Sequence, residues 1–105
     1  MAIFEGRERE FEARFKQDQD LQFRVKARRN RLLGLWAAER MGLAGEAAQA
    51  YATEIVDAEF AGGDRHVIEK ICADLTAKGK SFTPAQVEFQ LTHLGDAAKT
   101  QIMRE

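Results

Sequence analysis

Scarcity of several residue types narrows what this chain can do. The lone cysteine, Cys72, excludes an intrachain disulfide, and two histidines without a cysteine pair beside them offer no zinc-ligand spacing. A single proline, Pro84, leaves long helices free to run. No segment approaches the roughly 18 consecutive apolar residues that a membrane span needs, and MAIFEGRERE lacks the apolar stretch of a signal peptide. The expected location is therefore cytoplasmic, with no direct membrane insertion. A phosphate loop, paired dinucleotide-type glycines and a nucleophile elbow are all missing, and Gly62-Gly63-Asp64 reads as a turn rather than a phosphate cradle. His66 and His93 are not spaced as a chelating pair, and Cys72 lies on an apolar face where it acts as a small hydrophobe. We assign no catalytic residue, metal or cofactor, and an enzyme is not the expected class.

What remains is ordinary globular material for one small helical domain. At 105 residues the chain supports a single modest core, and 45% apolar with 31% charged residues is too apolar for a disordered polymer. Charge is unevenly placed. Residues 1 to 20 carry four basic and six acidic side chains, residues 21 to 40 six and one, and residues 41 to 105 six and ten. Only the middle block is positive, a smaller basic face than phosphate-backbone recognition uses, so nucleic acid is not an expected partner.

Four amphipathic helical segments are predicted. In the first, Phe4, Phe11 and Phe15 form a stripe one residue wide among Arg7, Glu8, Arg9, Glu10, Glu12, Arg14 and Lys16. Gly6 weakens that end by about 1 kcal/mol relative to alanine. Beyond the acids Asp18 and Asp20, a broader stripe of Leu21, Val25, Leu32 and Trp36, with Leu33 and Leu35, runs to about Met41, and Gly42 is a natural terminator. The second segment spans about Gly45 to Phe60 with Ala48, Tyr51, Ala52, Ile55 and Val56 inward, a small-residue face suited to close packing. Gly62 and Gly63 then break the chain and Asp64 caps the third, whose inner face is Val67, Ile68, Ile71, Cys72 and Leu75 before Gly79 ends it. In FTPAQV, Thr83 caps the fourth, Pro84 takes the first helical position, Gln86 completes a capping box, and Phe82 and Val87 are set for a hydrophobic staple. Val87, Leu91, Leu94, Ala98 and Ile102 continue its buried stripe. The expected fold is all-α, a small antiparallel four-helix bundle and a monomer when free. The single domain 1–105 divides into a mobile, helix-capable N-terminal arm, 1–19, and a four-helix body, 20–105.

The basic cluster Arg24, Lys26, Arg28, Arg29 and Arg31 reads first as a solvated face complementing acidic helices. Arg29 is the exception, because it lies one turn after Val25 at the edge of the buried stripe and needs a partner or an exit to water. A body carboxylate, an acidic partner surface, or the phosphates of an adenine nucleotide whose base stacks on Trp36 would each serve. Arg28, Arg29, Arg31 and Trp36 are thus candidate nucleotide- or anion-binding residues. Between a structural pair within the bundle and a surface or partner-facing Arg29, the sequence favours the second.

REREFEARF (Arg7 to Phe15), FRVKARRNRLLGLWAAE (Phe23 to Glu39), the Gly42 and Gly45 pair and YATEIVDAEF (Tyr51 to Phe60) resemble the zeta subunit of alphaproteobacterial F-type ATP synthases. The similarity in motif runs from the N-terminus through the second helix, and the last two helices match in length and pattern. What the resemblance implies is a small inhibitor of ATP hydrolysis, with a four-helix body and a mobile N-terminal segment. That segment becomes helical at a catalytic interface of the synthase head, blocking hydrolytic rotation while permitting synthesis. Carried onto this chain the segment is 1–19, and its candidate partner contacts are Phe4, Arg7, Glu8, Arg9, Phe11, Glu12, Arg14 and Phe15. The implied partner is the catalytic head of the synthase, which would hold the protein peripherally at the membrane.

Overall fold

Residues 18–105 are described by a computed structural model, and their regular structure is helical: α1 is Gln19–Arg40, α2 is Gly45–Ala77 and α3 is Pro84–Arg104. Each helix begins or ends where the chain supplies the chemistry. Asp18 takes extended dihedrals and its Oδ1 accepts the Leu21 N–H at 3.1 Å, satisfying one orphan donor at the start of α1. At the other end Gly42 adopts φ 80°. This lets its own N–H donate to the Glu39 carbonyl at 3.1 Å and the Leu43 N–H to Ala38 at 2.9 Å, a Schellman closure. Gly79 closes α2 the same way, with the Lys80 N–H on Leu75. The capping box of α3 forms as the sequence predicts: the Gln86 N–H donates to Thr83 Oγ1 at 3.1 Å, and the Thr83 N–H donates back to Gln86 Oε1 at 2.9 Å. Phe82 packs on the core cluster that contains Val87.

The break expected at Gly62 and Gly63 is present, but it is only those two residues wide, so 45–77 runs as one element with no intervening loop and the described residues give three helices rather than four separate ones. Gly62 and Gly63 alone depart from helical dihedrals, and Gly63, at φ 73° and ψ −166°, sits in a region essentially reserved for glycine. The departure reverses the chain. Residues 23 apart in a straight helix lie about 35 Å apart, yet the Tyr51 hydroxyl donates to Asp74 at 2.8 Å, and Lys70 reaches Glu54 at 3.5 Å. Both pairs are centred on Gly62 and Gly63, which makes α2 two antiparallel limbs hinged at one glycine pair. Asp64, expected as a cap, instead directs its carboxylate at Arg29.

The largest fully buried side chains are Leu33, Ile55, Ile71, Leu75, Val67, Val87 and Asn30. On α1 the buried face is Val25, Asn30, Leu33, Gly34, Ala37 and Ala38, with Leu21, Leu32 and Trp36 only partly covered. It is therefore rotated from the Leu21, Val25, Leu32 and Trp36 stripe that hydrophobicity selects. The cause is backbone proximity. A Cβ at Gly34 would lie 2.6 Å from the Ala52 Cα and 3.2 Å from Ile55 Cγ1, so the first limb of α2 approaches α1 where neither helix carries bulk. Helix propensity alone makes Gly34→Ala stabilising by about 1 kcal/mol. The contact reverses the sign, because overpacking against backbone forces the helices apart. We expect a net loss of about 1–3 kcal/mol in equilibrium urea unfolding. A variant as stable as the parent would show that α1 and α2 separate freely.

Candidate functional site

The basic residues of α1 do not share one fate. Arg29 turns inward and is only 12% exposed along its side chain. Its Nη2 donates to Glu59 Oε1 at 2.7 Å and to Asp64 Oδ1 at 2.6 Å, Nη1 reaches Asp64 Oδ2 at 3.3 Å, and Nε donates to Asn30 Oδ1 at 3.1 Å. Asn30, 1% exposed, in turn donates its Nδ2 to the same Glu59 oxygen at 2.9 Å. The stem of Arg29 crosses α3 at Gly95, where an added Cβ would lie 3.3 Å from Arg29 Cδ. A single guanidinium therefore ties α1 to both limbs of α2 and fills the space that Gly95 leaves on α3. Partial burial pulls the Asp64 carboxyl upward, but the hydrogen bonds and the Arg29 charge outweigh it, leaving the pKa below the ordinary aspartate value. The inward Arg29 corrects the slight preference for a partner-facing one. Sequence had no means of placing Glu59 and Asp64, 30 and 35 residues on, around it.

Arg28 and Arg24 go to the end of α3, where both reach Glu105 and Arg28 also donates to Gln101. The Arg28 guanidinium draws the exposed Glu105 carboxyl below its usual range. Arg31 takes the neutral partners Gln49 and Thr53 on the first limb of α2, at 3.2 and 3.4 Å. Trp36 packs edge-on against Phe82 with ring centroids 5.2 Å apart and carries Arg40 over its face. The four residues that sequence groups as nucleotide- or anion-binding are thus directed to separate neighbours. The candidate partner contacts Phe4, Arg7, Glu8, Arg9, Phe11, Glu12, Arg14 and Phe15 lie outside the described residues.

A second polar network spans the two limbs of α2. Tyr51 and Lys70 both bond Asp74, Lys70 also reaches Glu54, and its ammonium lies 5.7 Å from the Tyr51 ring centroid. Burial first, and the hydrogen bond to Asp74 second, push the Tyr51 phenol far above its usual pKa. His66 and His93 are exposed, and Cys72 packs on the core with burial raising its thiol pKa. Among the described residues no group of three His, Cys, Asp or Glu side chains is placed to hold a metal ion, and no helix is long and apolar enough to cross a membrane. Sequence reasoning passed over Phe23 and Phe60, which are exposed and in ring contact. Their only signal was an apolar ring at the start of FRVKARRN and at the end of YATEIVDAEF.

A family model for ATPase inhibitor subunit zeta matches residues 1–101. The chain belongs to that family. This zeta chain is also similar to a protein solved by solution NMR, with 40% identity over 80% of this chain and 96% of the other, at a TM-score of 0.70. A search of the curated proteins finds no match. The family's name supports an ATPase inhibitor role. In the zeta body, removing the Arg29 guanidinium strands Glu59 and Asn30 in a largely dry site. We expect Arg29→Ala to cost about 2–3 kcal/mol at neutral pH, somewhat below a fully buried pair because Asp64 keeps nearly half its surface in water. Arg28→Ala, on an exposed carboxylate, should leave the denaturation curve close to the parent's. Because the Asp64 pKa is lowered on folding, its contribution is present above the unfolded-state value and is lost as pH falls through the folded one. The deficit of Arg29→Ala should therefore shrink on acidification through and below the ordinary aspartate range, as denaturant melts at stepped pH will read.

Proposed function

We propose that this protein restrains ATP hydrolysis by an F-type ATP synthase, inserting its N-terminal segment, residues 1–19, at a catalytic interface of the head. The carrying observation is that the inhibitor family model spans segment and body together, residues 1–101. The pattern of the segment supports the mechanism. A stripe of Phe4, Phe11 and Phe15 cannot stabilise a short helix in water, since helices under about 12–15 residues are marginal there. In a groove the three rings contribute roughly 1.5–3 kcal/mol each, offset by a few kcal/mol of ordering. The binding is useful yet reversible. Arg7, Glu8, Arg9, Glu12 and Arg14 then face the walls and rim of the groove.

The body supports this reading by the polar ties it makes close behind the segment. Asp18 caps α1, and the Arg29 node fixes the same helix within three turns. The segment is therefore presented from a fixed base. In this reading the free chain is a monomer with a four-helix body, if the limbs of α2 are counted separately, and it sits in the cytoplasm, peripheral to the membrane through the synthase. An adenine-nucleotide role would require Arg28, Arg29 and Arg31 to leave their protein partners, so inhibition is the reading we adopt.

Steady-state hydrolysis by the cognate head, titrated with protein, tests it. The full chain should inhibit, and a chain starting at Asp18, which keeps the α1 cap, should melt like the parent and not inhibit. Phe11→Ala or Phe15→Ala should weaken inhibition mainly through faster dissociation, with body stability unchanged. Neutralising Arg9 or Arg14 should have a milder, salt-dependent effect. Equal inhibition by the full and shortened chains would dismiss the segment as the inhibitor.

A further inference from the structure

Two of the four exposed large apolar side chains among the described residues meet at one place. Phe23 on α1 is 52% exposed and Phe60, at the end of the first limb of α2, is 68% exposed, yet their rings meet with centroids 5.7 Å apart and a tilt of 40°. A single exposed phenylalanine is ordinary, and Phe89 on α3 is as exposed as Phe60. Two from different helices, touching at the mouth of a cavity, leave apolar area in water that no helix requires. That cavity holds about 90 Å³ and is lined by Ala27 and Val56 together with the two rings, and by Lys26, Asn30 and Glu59. Ala27, Val56 and Phe23 continue into a wider depression of about 300 Å³ toward α3. The apolar surface is thus a short groove rather than isolated rings.

Its rim is cationic and incompletely neutralised. Glu59 is already held by Arg29 and Asn30, so Lys26, 51% exposed, reaches it only at 3.9 Å. Glu105 is shared by Arg24 and Arg28, two cations to one carboxylate. Arg31, at the edge of the depression, has the neutral partners Gln49 and Thr53. An aromatic centre with such a rim is the anatomy of a protein interface whose opposite side is acidic.

We propose that the Phe23–Phe60 groove is a second docking surface, built for an acidic segment of the ATPase head that lays an apolar side chain against the two rings and over the cavity beside them. This rests on the inhibitory reading for the identity of the partner but not for the existence of the surface. It gives the body its own contact with the head. Two linked contacts raise the effective concentration of the N-terminal segment at its site, so the body strengthens inhibition without blocking rotation itself.

Binding of the full chain to the purified cognate head, followed beside hydrolysis in the same samples, tests the proposal. Phe23→Ala with Phe60→Ala should raise the dissociation constant about tenfold, mainly through faster release, with the melting curve and the inhibition at saturation unchanged. Lys26→Gln with Arg31→Gln, which leaves the apolar groove intact, should weaken binding several-fold and flatten its salt dependence. Wild-type affinity in the Phe double variant overturns the proposal, as does failure of the parent chain to bind the head. A free chain that sediments as a dimer and is dissociated by the Phe substitutions also overturns it, by assigning the groove to a second copy. Binding that depends on Phe23 and Phe60 but brings no inhibition would keep the surface and remove the inhibitory reading.

Discussion

The Arg29 guanidinium cannot be left in the interior without carboxylates, and the body is arranged so that both come to it. Glu59 arrives from the end of the first limb of α2 and Asp64 from the start of the second, on either side of the glycine turn. Rotating α1 by one residue, about 100°, would carry the guanidinium away from both. Moving the α2 turn would withdraw one of them. A buried ion pair is not in itself a strong source of net stability, because desolvation cancels much of the attraction. What this one supplies is selection among packings, since alternative registers leave a charge unpaired. Asn30 extends the selection by bonding the same Glu59 oxygen from within the buried face of α1.

Around that node the chain uses small residues to bring backbones together. Gly34 against Ala52 allows the close approach of α1 and α2, and Gly95 gives the Arg29 stem its passage over α3. Gly62 and Gly63 together supply the backbone conformations that let α2 reverse without a loop. Farther along α2, the Tyr51, Asp74, Lys70 and Glu54 network holds the limbs side by side. Burial opposes the Lys70 ammonium, yet the hydrogen bond to Asp74 and the two acidic charges raise its pKa overall. Polar networks thus brace the hinged helix at two levels, with Ile55, Ile71 and Val67 buried in the shared core.

Such a body suits a member of the ATPase inhibitor subunit zeta family. Most of the cations on α1 are committed within it. Those left loosely paired, Lys26 and Arg31, border the exposed aromatic pair.

Local chemistry was legible in the sequence because its causes lie within a few residues. The all-helical class, the Gly42 and Gly79 terminators, the Thr83 and Gln86 capping box and the inward Ile55, Val67, Ile71, Leu75, Val87 and Leu91 all follow from dihedral preference, capping and periodicity. The motifs also pointed to the zeta family, which the match over residues 1–101 shows. Long-range geometry decided the rest. Hydrophobicity selected Trp36 and Leu32 for the centre of the α1 face, whereas backbone proximity at Gly34 put Asn30, Leu33 and Ala37 there. Two glycines read locally as a break between antiparallel helices, and the chain does reverse there; that the reversal closes within those two residues, without a loop, is seen only in the tertiary structure. Arg29 was visible as a cation at the edge of a buried stripe. Whether its partner lay in the body or outside it depended on carboxylates 30 and 35 residues away, and no local rule fixes where such groups come to rest.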